Sequence, residues 1–314
     1  AAFALAHRIG WHRGGSLSVF ACGLLLGLAV ISEYPAALIA AAIGVHLMIV
    51  IPRKARLGWA LAGAMVPGAL WMAHNLAIYG RPLVFGYSYS TLYLDKHNVG
   101  FLSLTFPTVE ALWGITFGSF RGLFYLSPVL LLALPGFAMV LRRPEMRAEA
   151  LVCAWAFVAF VAFNASSVMW EGGFAVGPRY LVPMLPFLVL PLVAALERLG
   201  RSASGRVLTA LLASWSLSAV WAETVGGQSF PDWTPEPLFR YSLVRLAQGD
   251  VARNAGTVLG LSGPASLLPL ALIVAALLAA LFRVAGQRRE AMATDSTAKA
   301  QAAIRAAGAW HEPD

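Results

Sequence analysis

Long apolar stretches alternate with short polar ones along almost the whole chain. A helix needs roughly 17–25 mostly apolar residues to cross a bilayer. Eight stretches qualify, at about 16–32, 35–51, 57–79, 123–141, 150–169, 180–197, 207–225 and 265–284. The pattern predicts an all-α fold, a polytopic transmembrane helix bundle of about eight spans. The first two spans are joined by the tight turn Ser32-Glu33-Tyr34-Pro35, with Pro35 at a helix start. Two connections are long, about 80–122 and about 226–264, and each is expected to carry a short interfacial helix. In the first, Pro107 opens a segment with Glu110 in its first turn and Leu112, Trp113, Ile115 and Phe117 as its apolar side. In the second, Glu236 to Leu246 sets Leu238, Phe239, Leu243, Val244 and Leu246 against Arg240 and Arg245. Residues 286–314 are Ala-rich and polar, so the expected organisation is a membrane domain over 1–285 and a disordered cytoplasmic tail.

Composition removes the soluble alternatives. Of the 314 residues, 59% are hydrophobic and 12% charged, against about 25% charged in an ordinary soluble domain. The net charge is +8, but the basic residues form no stripe with interleaved aromatics, so nucleic acid is not an expected partner. They cluster instead in alternate loops. Sixteen of 23 Lys and Arg residues fall before the first span, after the eighth, or in the second-to-third, fourth-to-fifth and sixth-to-seventh connections. The positive-inside rule then puts both ends of the chain in the cytoplasm and the two long connections outside. Cys22 and Cys153 both lie in apolar runs, which excludes a disulfide framework. The chain opens Ala1-Ala2-Phe3 without Met or a signal-peptide pattern, and is expected to begin inside a longer protein.

The candidate chemistry sits at the outer ends of the spans, where ionisable side chains are costly to place. Glu33 occupies the first outer turn, followed by Tyr34. His74 and Asn75 lie near the outer end of the third span and point to different sides of it. Arg121, beside Gly122 at the start of the fourth span, could grip a phosphate or carboxylate through its guanidinium fork. The richest stretch runs from Trp170-Glu171-Gly172-Gly173 to Gly177-Pro178-Arg179-Tyr180. Arg179 stands at a helix start, where the dipole disfavours a cation. It therefore calls for an anionic partner: Glu171, Glu33 or a ligand. No P-loop, GxSxG, HExxH or CxxC pattern occurs, and no row of acids or lysines fills the helix centres as an ion pump would require.

Three segments resemble the GT-C glycosyltransferase superfamily: Gly27 to Leu38 around Ser32-Glu33-Tyr34-Pro35, Arg121-Gly122-Leu123-Phe124-Tyr125-Leu126-Ser127-Pro128, and Trp170-Glu171-Gly172-Gly173 with Gly177-Pro178-Arg179-Tyr180. They are similar to its bacterial branch related to protein O-mannosyltransferases and lipid A aminoarabinose transferases, over residues 16–285. The resemblance implies an inverting transferase in the bacterial inner membrane, active on its extracytoplasmic face. Its partners would be a polyprenyl-phosphate sugar donor, membrane lipids, and a glycan, lipid or protein acceptor, and a divalent metal is possible. Such enzymes keep an acidic residue in their first outer loop as base or metal contact. Here the family's first helices have no counterpart, and the acceptor's base is expected upstream of residue 1. Glu33 and Glu171 are the candidate catalytic carboxylates in this chain. Tyr34, His74, Asn75, Arg121, Trp170, Arg179 and Tyr180 are the candidate substrate-binding residues, with Arg121 and Arg179 toward the phosphate and Trp170 and Tyr180 around the sugar. No metal ligand is assigned. The alternative readings are a lipid or polysaccharide carrier or flippase without catalysis, and an inert membrane scaffold.

Overall fold

The computed structural model describes residues 1–12, 14–89, 91, 94–97, 99–101, 103–227 and 234–287. The described residues contain no strand, only isolated bridges from Leu104 to Phe101 and Ser167. The helices in chain order are α1 (Ala2–His12), α2 (Ser16–Ser32), α3 (Ala37–Val50), α4 (Leu57–Tyr79), α5 (Leu94–His97), α6 (Val109–Thr116), α7 (Leu123–Leu126), α8 (Ala133–Leu141), α9 (Arg147–Ala165), α10 (Leu185–Leu199), α11 (Ala203–Gly226), α12 (Leu243–Ala247) and α13 (Ala255–Val258). A final helical segment covers Gly263–Gln287. Five segments are long and apolar enough to cross a membrane: Lys54–Tyr79, Pro144–Ala165, Arg179–Leu199, Ala203–Gly226 and Gly263–Gln287. Shorter apolar helices occupy Ser16–Ser32, Tyr34–Val50 and Pro128–Leu141. Large apolar side chains point outward along them, among them Leu17 at 79%, Leu61 at 65% and Leu272 at 69% exposure. Apolar surface on that scale belongs against lipid.

The chain divides into two compact units, Ala1–Val244 and the remainder from Arg245. In the first, α2 and α4 make the tightest helix pair. Gly23 and Gly63 allow it: a Cβ on Gly63 would lie 2.1 Å from the Phe20 carbonyl oxygen, and one on Gly23 1.8 Å from that of Ala60. Small residues substitute backbone proximity for the hydrophobic force that lipid cannot supply. The core continues through Ile39, Ile43 and Leu47 of α3, Val152, Ala156 and Phe160 of α9, and Leu188 of α10.

Two elements differ from the sequence expectation. The apolar run at 123–141 is not one helix. It stops after Leu126, turns at Ser127 (φ −132°, ψ 65°) and resumes as a 3-10 segment from Pro128 to Leu132 before α8. Proline has no amide hydrogen and pushes its predecessor out of helical geometry. Ahead of the first span, α1 is an additional helix whose Ala6 and Ile9 are buried in the core. Helices are present in both long connections. Thr108 caps α6 by accepting from the Ala111 amide at 3.1 Å, and Leu238–Ser242 continues into α12 as a π-helical turn.

In the second unit, Asn254 caps α13 through the Gly256 and Thr257 amides and donates to Ser266 Oγ at 2.9 Å. Arg245 pairs with Asp250 at 2.7 Å. Most of the expected tail, residues 288–314, lies outside the described residues.

Candidate functional site

A cavity of about 590 Å3 opens in the first unit. Its polar lining is Glu33, Tyr87, His97, Arg179 and Tyr180, and its apolar walls include Pro35, Phe160, Met169 and Pro183. Glu33 comes from the C-terminal end of α2, where it turns into extended geometry. Tyr87 follows the end of α4, His97 ends α5, and Arg179 and Tyr180 open the 3-10 lead-in to α10.

Arg179 is exposed, and its Nη2 donates to the Tyr180 hydroxyl at 3.1 Å with the guanidinium carbon 4.9 Å from that ring's centre. Among the described residues no carboxylate comes within 4.0 Å of it. Glu171 faces elsewhere: its Oε1 is 4.0 Å from Lys96 Nζ, and its buried Oε2 has no hydrogen-bond partner among the described residues. Gly172 and Gly173 take left-handed conformations (φ +72° and +64°), which shape the turn ahead of Arg179. Arg179 lies over the first of them, so a Cβ on Gly172 would meet its Cγ at 3.1 Å.

The Tyr87 hydroxyl is held above its ordinary pKa by partial burial, with Glu33, Tyr180 and Tyr34 adding to the rise and Arg179 opposing it. Three ionisable groups of the cavity and the adjacent Tyr34 therefore act on one phenol.

The remaining candidates surround the cavity without lining it. Tyr34 packs edge-on against Phe85 and Tyr87 at 5.1 and 6.0 Å, and its hydroxyl accepts from Trp71 Nε1 at 3.1 Å. Trp170 lies against Gly114 and edge-on to Phe120 at 6.5 Å. His74 is exposed, whereas Asn75 is buried and donates to the carbonyls of Val84 (2.9 Å) and Pro82 (3.3 Å), tying the chain after α4 to its helix. Arg121 is fully buried and donates to the carbonyl oxygens of Gly173 and Ala175. It holds the loop that carries Arg179 from inside.

Several polar residues lie outside the sequence expectation. Tyr87 and His97 line the cavity, and their only signal is the aromatic-rich Tyr87-Ser88-Tyr89 stretch followed by a histidine. Glu223, fully buried near the end of α11, has no hydrogen-bond partner among the described residues, and the Arg121 charge acts on it. A separate cluster joins His7 Nδ1 to Glu149 Oε1 at 2.9 Å. The buried His46 lies close enough for both charges to act on it. Among the described residues no three His, Cys, Asp or Glu side chains gather to hold a metal ion. No protein family, curated protein or solved structure matches the chain.

Proposed function

We propose that the chain is an integral membrane glycosyltransferase of GT-C type that passes a sugar from a polyprenyl-phosphate donor to an extracytoplasmic acceptor. The observation that carries this reading is the meeting of Glu33 and Arg179 in one cavity, with the Tyr87 and Tyr180 rings beside them. A phosphate would answer the anion demand of Arg179. The leaving phosphate gains charge as the sugar–oxygen bond breaks, and a guanidinium placed there stabilises that charge in the transition state. In this reading Glu33, rather than a carboxylate outside the cavity, takes the acceptor hydroxyl's proton. The aromatic rings form flat walls for a sugar. Arg121 acts one layer behind, through the loop.

In this reading the five long segments and the three shorter ones make eight spans in a bacterial inner membrane. Both ends of the chain are cytoplasmic, the cavity opens outward, and α6 and the 238–247 segment lie at the interface. The acceptor is a glycan, lipid or protein.

The test is sugar transfer from radiolabelled polyprenyl-phosphate sugars by the full-length protein and its Arg179→Ala and Glu33→Gln variants. Loss of one such electrostatic contact typically lowers kcat about 10²–10³-fold. Both side chains are exposed, so thermal stability should not change. Unimpaired transfer by Arg179→Ala at normal expression would refute the assignment.

A further inference from the structure

The cavity holds one side chain whose placement is more constrained than a lining role requires. Nδ1 of His97 is hydrogen-bonded to Ser103 Oγ at 3.1 Å, which leaves Nε2 as the ring's remaining polar atom, without a partner among the described residues. The ring also rests against Tyr87, with centroids 5.7 Å apart. Ser103 is buried and sits at φ +71°, a left-handed conformation unusual for a residue with a Cβ. Two backbone bonds hold it there: its amide donates to the Val99 carbonyl at 3.1 Å, and its carbonyl accepts from the Val168 amide at 2.9 Å. Strained residues persist where the surroundings over-determine them, and they cluster at sites of function. Here the strain sets one hydroxyl between the imidazole, whose Nδ1–H it accepts, and the Met169 sulfur, to which it donates at 4.0 Å. Fixing one ring nitrogen is how a protein selects which atom of a histidine does the chemistry.

We propose that His97 is the general acid of the site, presenting Nε2–H to the phosphate oxygen that leaves the sugar, with Ser103 as its positioning residue. The inference rests on the transferase reading above. In the step, the bond between the anomeric carbon and the phosphate oxygen breaks, and its electron pair goes to that oxygen. The acceptor oxygen bonds to the carbon and releases its proton to Glu33. His97, as the imidazolium with its Nδ1 proton held on Ser103 Oγ, passes its Nε2 proton to the departing phosphate and is left neutral, and both side chains exchange protons with water before the next turnover. The ionisable groups around the ring are Glu33 from the end of α2, Tyr87 after α4, and Arg179 and Tyr180 ahead of α10. Lys96, its chain neighbour, is turned toward Glu171 at 4.0 Å.

The experiment measures kcat, KM and their pH dependence for the full-length protein with a polyprenyl-phosphate sugar, alongside His97→Gln, Ser103→Ala and Ser103→Gly. His97→Gln should lower kcat about 100-fold, leave KM within about threefold and abolish the alkaline decline of kcat. Each serine variant should lose about tenfold in kcat, about what is lost when the hydrogen-bond partner that orients a functional side chain is removed. Ser103→Gly also relieves the backbone, so an equal loss in both variants would assign the effect to the hydroxyl. If the wild type transfers sugar while His97→Gln keeps its kcat and its alkaline decline, the general-acid role is overturned and the transferase reading stands. A change confined to KM overturns it too, because it leaves only binding. A folded wild type that transfers from no polyprenyl-phosphate sugar overturns the transferase reading and the role built on it together. Should His97→Gln fail to fold, Ser103→Ala, which retains the imidazole, decides through its kcat and pH profile.

Discussion

Replacing Arg121 by methionine tests whether the loop over the cavity is held from within. The side chain is fully buried, donates to the Gly173 and Ala175 carbonyls, and has its guanidinium carbon 4.2 Å from the centre of the Phe120 ring. Methionine fills much of the volume and removes every donor. Hydrogen bonds from a charged group contribute about 1.5–3 kcal/mol each. The lower figure applies here because the loop is only partly buried, giving about 3 kcal/mol for the two. The substitution also removes a positive charge that acts on the buried Glu223, whose carboxylate oxygens have no hydrogen-bond partner among the described residues. Loss of that through-space attraction adds about 1 kcal/mol. The sum of about 4 kcal/mol corresponds to a fall of about 8–16 °C in apparent Tm at about 2–4 °C per kcal/mol. The assay is a thermal-shift series in one detergent on Arg121→Met, Glu223→Gln and the double variant. In the Glu223→Gln background the Arg121→Met loss should shrink by about 1 kcal/mol, within the range found for coupled residues. Strictly additive shifts would refute the coupling. A fall below about 3 °C for Arg121→Met alone would refute the anchoring.

Gly63→Leu should destabilise the first unit by at least about 3 kcal/mol, because even a Cβ would sit 2.1 Å from the Phe20 carbonyl oxygen and overpacking alone costs about 1–3 kcal/mol. Gly68→Leu on the same helix, with open space around it, is the matched control, and equal melting of the two would contradict the α2–α4 packing. The Tyr87 phenol, held above its ordinary value, should ionise later than exposed tyrosines in an ultraviolet difference titration against Tyr87→Phe. Because the folded value exceeds the unfolded one, this contribution to stability is intact below about pH 10 and disappears as pH rises through the folded value. Glu33→Gln should bring the transition down and Arg179→Ala should raise it; the opposite order would place those charges elsewhere. Asn75→Leu should free the chain after α4 from its two carbonyl anchors and speed amide exchange around residues 82–89, and unchanged exchange would count against the tie.

The helices were legible because a single variable, the length of an apolar run, decides them in lipid. The bounds read for α2 and α4 coincide with the structure, and the runs later in the chain differ from their helices by a few residues. The criterion failed where length misled. The eleven residues of α1 are too few to span, yet their apolar spacing at positions 2, 3, 5, 6 and 9 is that of a packed helix face. The 123–141 run is long enough, but Pro128 breaks it. At the site, Glu33 and Arg179 stood out because charge at a span's end is costly to place without a use, and Tyr180 because it adjoins Arg179. The same reasoning grouped Arg121 with them, since a residue beside a boundary glycine reads alike whether its side chain turns toward water or into the bundle.

His97 and Ser103 carry no such signal. Their pairing depends on a loop whose course is set by contacts with Val99 and Val168, and no periodicity describes that course. A glycine at 103 would have advertised the left-handed turn. A serine conceals it, and the concealment is itself informative. A backbone that needs only the turn is served at less strain by glycine, so the structure's use of serine points to the hydroxyl as the reason for the residue. That hydroxyl meets one ring nitrogen of His97. Arginine at 179 and a carboxylate at 33 can bind an anion and accept a proton, but neither supplies a proton to a leaving group. Among the proton-bearing groups of the cavity, the imidazole is the one whose ring is fixed by a buried hydroxyl.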